Sequence, residues 1–157
     1  MDENGKYTII VFSDVHFDSE KLERLLPIMN SADYVVFCGD GMNNFERVSG
    51  RITVPTVCAR GNNDFFSHIS ENSTFAIGNT RIFVTHGHRY GVRNSVEFLA
   101  EAAANNNCTL AFFGHTHVFF DKTIGGVHVI NPGALCNGSY AVVTGGDNGF
   151  ICRQCFI

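Results

Sequence analysis

The stretch YTIIVFSDVH, residues 7–16, joins an apolar run to two residues that can bind a metal. Its first part is rich in β-branched and aromatic side chains, which is typical of a strand buried on both faces. Asp14 and His16 follow where that strand is expected to end. Since ligands of α/β sheets gather at the carboxyl ends of strands, the stretch predicts a buried strand that delivers two ligands to a site.

The same combination of apolar strand and polar ending recurs along the chain. A second predicted strand leads into Asp40, a third into Asn62 and Asp64, a hairpin strand into His86 and His88, and a later strand into His115 and His117. If these endings converge, they bring together two carboxylates, an amide and four or five imidazoles without a thiolate. Such a set favours Mn²⁺, Fe or Zn²⁺ over Ca²⁺ or an iron–sulfur cluster.

The order of elements predicts an α/β protein in which βαβ units come first and antiparallel hairpins follow. A helix is expected from residue 19, capped by Asp18 or Ser19 and kinked or ended early by Pro27, and a second around residues 43–48. A third is expected after a cap at Asn94 or Ser95. We therefore expect a mixed two-sheet β-sandwich flanked by helices, forming one domain over residues 1–157.

Composition excludes several classes of protein. Hydrophobic residues make up 45% of the 157 residues and the net charge is −4, with 11 Lys and Arg that form no cluster. This balance argues against strong non-specific nucleic-acid binding. No apolar run approaches the roughly 20 residues of a membrane span. The N-terminal stretch lacks the basic flank of a signal peptide, so we expect a cytoplasmic protein without a membrane partner.

The six cysteines are interpreted as reduced, buried, small apolar side chains. Cys152 and Cys155 form a CxxC pair near the C-terminus. In a strand, positions i and i+3 point to opposite faces, so this pair is not expected to bind one metal.

The number of clustered ligands exceeds the needs of one ion. Two ions roughly 3.5–4 Å apart that share a carboxylate would use them all. Asp40 is the predicted bridge because it stands alone on its loop. Two divalent cations against Asp14 and Asp40 leave a local positive charge that attracts anions, and hydroxide formed between the ions would be a nucleophile.

The motifs at the predicted strand ends are similar to those of a known family. DVH, GDG, GNND, THGH and GHTH, followed by NPGAL at residues 131–135, resemble the calcineurin-like metallophosphoesterases, in particular the small single-domain YfcE-like phosphodiesterases. The resemblance implies a four-layer αββα fold and attack of a metal-bridging hydroxide on phosphorus. It also implies two divalent ions, Mn²⁺ first with Zn²⁺, Fe or Ni²⁺ as alternatives. It places Asp14, His16 and His117 on one metal, Asn62, His86 and His115 on the other, and Asp40 between them.

In the stretch FFGHTHVFF, residues 112–120, an extended chain would point His115 and His117 to the same side. We expect the pair to be divided between the two metals, and Gly114 to let the backbone turn. The residues Asn131 to Gly133 are expected to form a turn beside the site.

One position departs from the family pattern. Many members of the superfamily have GNH[DE], where the imidazole donates a proton to the leaving oxygen, but this chain has Asn63, which cannot act as a general acid. We therefore expect phosphodiesters or activated aryl esters to be preferred over alkyl monoesters. His88 is one replacement for the missing acid. Asp64 is expected to orient Asn62 or a histidine, and Arg60 to bind either phosphate or a carboxylate.

An alternative function stays open from the sequence. The same fold resembles a retromer coat subunit that acts as a protein-binding scaffold, although all seven expected ligands are intact here.

The short chain leaves little room for a capping domain, which predicts an open site for small phosphate esters. The 15 phenylalanines leave room for a homo-oligomer interface. His68 and His128 have no motif around them and are interpreted as ordinary hydrogen-bonded residues.

Overall fold

The first strand, β1, is buried on both faces, as its sequence predicts. Ile9 and Val11 pack on one side of it, and Ile10 and Phe12 on the other. The computed structural model describes residues 1–157. The elements are β1 (Tyr7–Phe12), α1 (Ser19–Met29), β2 (Tyr34–Phe37), α2 (Met42–Ser49), β3 (Thr56–Cys58), β4 (Asn72–Ile77), β5 (Thr80–Thr85), α3 (Glu97–Asn105), β6 (Leu110–Phe112), β7 (Phe119–Ile124), β8 (Val127–Pro132), β9 (Ser139–Gly146) and β10 (Gly149–Phe156), with 3₁₀ turns at His88–Tyr90 and Leu135–Asn137.

The strands form two five-stranded mixed sheets. The first has the order β10-β9-β1-β2-β3, and the second has the order β4-β5-β6-β8-β7. In the first sheet β1, β2 and β3 are parallel, and in the second sheet β5, β6 and β8 are parallel. In the second sheet the antiparallel strands β4 and β7 form both edges. In the first sheet the β9–β10 hairpin forms one edge and the parallel strand β3 forms the other.

Three hydrophobic clusters define four layers. The central cluster joins the sheets, with Val36 contributed by one and Phe112 by the other. A second cluster packs α1 and α2 on the first sheet, and a third packs α3 on the second sheet. The predicted α/β class and the αββα sandwich are confirmed. None of the helices is long and apolar enough to cross a membrane.

Local predictions differ from the structure at three places. Pro27 lies inside α1, but the helix continues to Met29, so the predicted early end at the proline is wrong. The N-cap of α1 is Asp18, which accepts from the backbone N–H of Lys21, and the alternative cap at Ser19 is wrong. The N-cap of α3 is Val96, without a side-chain cap, because the backbone N–H groups of Asn94 and Ser95 bond to the carbonyl of Gly91 in a preceding turn.

The sequence predicts the second strand within residues 33–40 and the third within residues 52–64, and both strands are shorter in the structure. β2 ends at Phe37 and β3 spans only Thr56–Cys58, because residues beyond them turn towards the common edge of the sandwich. Cys152 and Cys155 pack against different clusters on the two faces of the first sheet. Only Cys38 and Cys108 are buried, and the other four cysteines are partly exposed, so the expectation that all six are buried is wrong.

Candidate metal centre

One group of candidate ligands is formed by Asp14, His16 and His117. The Nε2 atoms of His16 and His117 lie 3.0 Å apart. The carboxylate oxygen Oδ1 of Asp14 lies 3.3 Å from His16 Nε2 and 3.1 Å from His117 Nε2. These three atoms come from the loops after β1 and β6, and they surround a common point at which one cation can contact all three.

A second group lies beside the first. Oδ2 of Asp40 is 3.3 Å from Nε2 of His86, and Nδ1 of His115 is 3.3 Å from the same His86 atom. The amide oxygen of Asn62 is 3.1 Å from His115 Nδ1. All seven residues selected from the sequence are therefore brought to one edge of the sandwich, and His115 and His117 face different groups.

The two aspartates lie between the groups. Asp40 Oδ2 is 3.8 Å from His16 Nε2, in addition to its approach to His86. Asp14 Oδ1 reaches towards His86 Nε2 at 3.9 Å. Oδ2 of Asp14, by contrast, accepts from the backbone N–H of His115 at 3.1 Å, so only Oδ1 faces the site. Both carboxylates are central, and Asp40 Oδ2 comes nearer to the second group.

The backbone at the site is strained. Six of the seven non-glycine residues with positive φ lie in these loops, at Asp14, His16, Phe17, Asp40, His115 and His117. The left-handed region is unfavourable for residues with a Cβ, and such conformations persist where the surrounding structure enforces them, often at functional sites. His115 and His117 are consequently not extended, and the simple two-residue alternation expected for them is wrong.

Glycines at the site permit close approach. A Cβ added at Gly114 would lie 2.0 Å from Ser13 Oγ and 2.7 Å from Asp14 Oδ2, and a Cβ at Gly61 would lie 1.9 Å from Asp40 Oδ1. Gly114 does not have a positive φ. Glycine is needed at this position because a side chain would collide with Ser13 and Asp14. The turn expected from the sequence is not the reason.

Asp64 holds the loop that carries Asp40. Its Oδ2 accepts from the backbone N–H groups of Asp40 at 2.8 Å and Gly61 at 2.7 Å, and its Oδ1 accepts from Gly41 and Met42, both at 2.9 Å. The expectation that Asp64 orients Asn62 or a histidine is wrong, because both of its oxygens are used by backbone amides. It is a positioning residue for the Asp40 backbone, not a catalytic group.

Asn63 contacts Asp40 at both carboxylate oxygens. Its backbone N–H donates to Oδ1 at 2.9 Å and its side-chain amide donates to Oδ2 at 2.8 Å. Burial raises the pKa of Asp40, but the hydrogen bonds from His86 and Asn63 outweigh burial and hold that pKa well below its usual range. Asp40 is therefore ionised at neutral pH.

The environment of His86 fits a cation. Its Nδ1 donates to the carbonyl oxygen of Cys38 at 2.7 Å, which leaves the lone pair of Nε2 facing the carboxylates of Asp14 and Asp40. That arrangement requires positive charge at Nε2, from a proton or a metal. Burial lowers the pKa of His86, but the bond to Asp40 and the two carboxylate charges together raise it. With both aspartates almost fully buried, the donor set fits divalent metal ions.

Arg60 and His88 lie in a neighbouring network around Glu71. Arg60 pairs with Glu71 at 3.3 Å, which favours the carboxylate alternative. His88 Nε2 lies 3.7 Å from the same carboxylate, and its buried Nδ1 has no partner. Burial and the nearby His86 lower the pKa of His88. The ring is therefore neutral at pH 7 and is poorly suited to donate a proton.

Two further residues contact the histidine loop. Nε of Arg93 donates to Nε2 of His115 at 3.1 Å, and Arg93 was not predicted because it lies in a turn with no motif around it. The buried Asn131 donates to the carbonyl oxygen of Gly114 at 2.8 Å and to Thr116 Oγ1 at 3.0 Å. The sequence predicted a turn beside the site at Asn131 to Gly133, but Asn131 and Pro132 belong to the end of β8.

The family model for the calcineurin-like phosphoesterase superfamily domain matches residues 7–146. The chain belongs to this superfamily. A probable metallophosphoesterase, YsnB of Bacillus subtilis strain 168, is 25% identical over 143 residues, which cover 87% of this chain and 83% of the relative. The calcineurin-like family is one whose members bind divalent metals, in agreement with the Asp and His groups described above.

Several solved structures share the fold of this chain. A predicted phosphoesterase from Streptococcus pneumoniae TIGR4 is 26% identical, with a TM-score of 0.83 over 96% of this chain and 90% of that one. An archaeal phosphodiesterase is 21% identical, with a TM-score of 0.75 over 96% and 99% of the two chains. Vps29 of Entamoeba histolytica in complex with Zn²⁺ is 20% identical, with a TM-score of 0.66 over 95% and 98%. The last two likenesses concern the fold alone.

Proposed function

We propose that this calcineurin-like protein is a phosphodiesterase that uses two divalent metal ions, with Asp40 between them. The observation that carries the proposal is the position of Asp40 Oδ2, which lies 3.8 Å from His16 Nε2 and 3.3 Å from His86 Nε2. Mn²⁺ is the first candidate, with Zn²⁺, Fe or Ni²⁺ as alternatives. When bound, the ions would lower the pKa of water and neutralise charge on the phosphate.

In this proposal the first ion is held by Asp14, His16 and His117, and the second by Asn62, His86 and His115. Asp64 keeps the Asp40 backbone in place through its hydrogen bonds to the loop amides. Asn63 orients the Asp40 carboxylate and offers an amide near the reacting phosphate, but no acidic proton. A diester carries one negative charge and asks less of a nearby cation than a dianionic monoester does, so diesters are the proposed substrates.

Arg93 is proposed to bind a phosphate oxygen. A neutral His115 that accepts from Arg93 at Nε2 carries its proton on Nδ1, where it can donate to Asn62. If His115 uses Nδ1 as a ligand, its proton must sit on Nε2, and the bond from Arg93 cannot form. The guanidinium is then free beside the site, where its fork of N–H donors suits a phosphate group.

The alternative function is a metal-binding scaffold with little or no catalysis. It is supported by the fold likeness to Vps29 and by the exposed aromatic side chains Phe17 and Phe66 near the site. A scaffold would bind metal with little or no hydrolysis of phosphodiesters, and any weak hydrolysis would not depend on the Asp40 carboxylate. The proposed enzyme hydrolyses phosphodiesters and loses this activity when the Asp40 carboxylate is removed.

One experiment separates the two functions. Metal content, thermal stability and hydrolysis of bis(p-nitrophenyl) phosphate are measured for the natural protein, Asp40→Ala and Asp147→Ala, where Asp147 is exposed in the β9–β10 turn. We expect bound metal to raise the melting temperature by roughly 5–10 °C at a concentration near 100 times Kd. Asp40→Ala should lose this shift and the activity, and Asp147→Ala should keep both. Activity retained in Asp40→Ala would overturn the proposal.

A further inference from the structure

A cavity of about 440 Å³ opens beside the candidate metal centre. His16 and Asp40 lie in its wall, so a molecule that binds at the centre can extend into the cavity. Three phenylalanines, Phe17, Phe65 and Phe66, also line it. The cavity and the metal centre thus form one continuous surface.

The three phenylalanines are unusually exposed. Phe17 is 88% exposed, Phe65 is 76% exposed and Phe66 is 92% exposed. A cluster of large exposed apolar side chains commonly marks a binding surface, because apolar area left in water does not contribute to the stability of the fold. Phe17 also has a φ of 68°, a left-handed conformation that is rare for a bulky residue.

No Lys or Arg lines the cavity, and apart from His16 and two carboxylates its polar side chains are neutral. Asn43 is exposed in the wall, and Asn63 is exposed there too, although its side-chain N–H donates to Asp40. The two carboxylates present, Asp40 and Asp64, already accept hydrogen bonds from the protein. A second phosphate would find no cation there. The wall instead suits an uncharged, flat group with polar edges, since aromatic faces stack and amides pair with ring nitrogens and exocyclic groups.

The size of the cavity limits the occupant. Small-molecule sites have volumes of roughly 300–1,000 Å³, and this cavity is at the small end of that range. It is therefore suited to one nucleoside rather than to a polynucleotide, whose charged backbone would also need a basic groove.

We propose that Phe17, Phe65 and Phe66 form a subsite for the nucleobase of a nucleoside phosphate ester whose phosphorus lies at the metal centre. This inference rests on the proposed function and names its substrate class. Stacking of a base on an aromatic side chain is worth about 5- to 150-fold in affinity. The phenylalanines bind and orient the substrate and take no part in bond breaking.

The test compares two ligands that carry the same sugar phosphate. Adenosine 5′-monophosphate and ribose 5-phosphate are titrated calorimetrically into Mn²⁺-loaded protein. We expect the nucleotide to bind at least about tenfold more tightly. The ratio of affinities should fall to about threefold or less in a Phe17→Ala, Phe66→Ala double variant, without a change in ribose 5-phosphate binding. The control variant is Phe98→Ala, since Phe98 is 67% exposed on α3 and does not line the cavity.

The outcomes distinguish this inference from the function on which it rests. If ribose 5-phosphate binds as tightly as the nucleotide, the subsite is overturned and the phosphodiesterase proposal stands. If the double variant keeps the natural ratio, or Phe98→Ala lowers it equally, the assignment to these phenylalanines is overturned. If neither ligand binds and Asp40→Ala leaves phosphodiester hydrolysis unchanged, both proposals fail.

Discussion

The backbone N–H of Asp40 donates a hydrogen bond of 2.8 Å to Oδ2 of Asp64, and this carboxylate joins two of the loops that build the centre. Asp40 follows β2, and Asp64 follows β3. The same carboxylate accepts from Gly41, Met42 and Gly61. The Asp64 side chain accepts four hydrogen bonds from the backbone and thereby sets the position of Asp40.

Asp64→Asn should therefore destabilise the protein. One carboxylate oxygen becomes an amide that points N–H groups at backbone N–H groups, and buried donors lose their acceptor. We expect the free energy of unfolding to fall by about 2 kcal/mol or more. Urea denaturation measures the change, and Asp147→Asn, in an exposed turn, is the control with an expected change below about 0.5 kcal/mol. Metal affinity should fall as well. Equal stabilities for the two variants would contradict the assigned role of Asp64.

Gly114→Ala should disturb the centre through contact. The new methyl group would fall 2.0 Å from Ser13 Oγ, so the loop must shift, at a cost of about 1–3 kcal/mol. Because Asp14 is displaced with it, Mn²⁺ affinity measured by calorimetry should weaken. The matched control is Gly50→Ala, since a Cβ at Gly50 meets nothing within 4 Å and its φ is not positive. An unchanged Mn²⁺ affinity in Gly114→Ala would contradict the expectation that the added methyl group displaces Asp14.

Asn63→His should change the preference between alkyl and activated aryl monoesters. An imidazole at this position restores the proton donor of the family motif, and general acid catalysis contributes about 100-fold or more where the leaving oxygen needs a proton. We expect the rate of glycerol 2-phosphate hydrolysis to rise relative to that of p-nitrophenyl phosphate, because only the alkoxide leaving group needs the proton. Asn63→Ala is the control, because it removes the bond to Asp40 without adding an acid. If the alanine variant shows the same rise, the proton donor is not its cause.

Arg93→Ala should weaken substrate binding more than catalysis once substrate is bound. A charged hydrogen bond to phosphate is worth about tenfold or more in affinity. We expect KM for bis(p-nitrophenyl) phosphate to rise by about this factor with a smaller change in kcat. Arg153→Ala, on the exposed side of β10, is the control. A KM that stays at the natural value would remove Arg93 from the phosphate site.

The thiols of Cys58 and Cys152 should be unreactive in the folded protein. Burial raises the pKa of both to about 12. At about pH 8 only ~1 in 10,000 of each would be thiolate, the form that reacts with iodoacetamide. Mass spectrometry of the alkylated protein should find both sites unmodified until guanidinium chloride unfolds the chain. Rapid labelling of either in the folded protein would contradict the packing described here.

The order of strands, helices and hairpins could be predicted from the sequence because these features depend on local patterns. The uninterrupted apolar run at residues 7–12 predicts a strand with two apolar faces without any knowledge of its neighbours. Asp18 caps a helix through a bond to Lys21, three residues away. The predicted ligands also follow strand ends, and parallel strands must bring those ends to one edge of a sheet. Errors arose where a turn intervened, as at Asn94 before α3.

What each polar group does at the centre was decided only by the tertiary structure. His16 and His117 are 101 residues apart in the chain, yet their ring nitrogens lie 3.0 Å apart, and no local pattern specifies that distance. The roles of Asp64 and Arg93 likewise depend on loops that meet only after the sheets have packed. The sequence by itself determined the α/β sandwich and the seven candidate ligands, because periodicity and strand order are local. The distances within each group, and the close approach that requires Gly114, came from packing between distant segments.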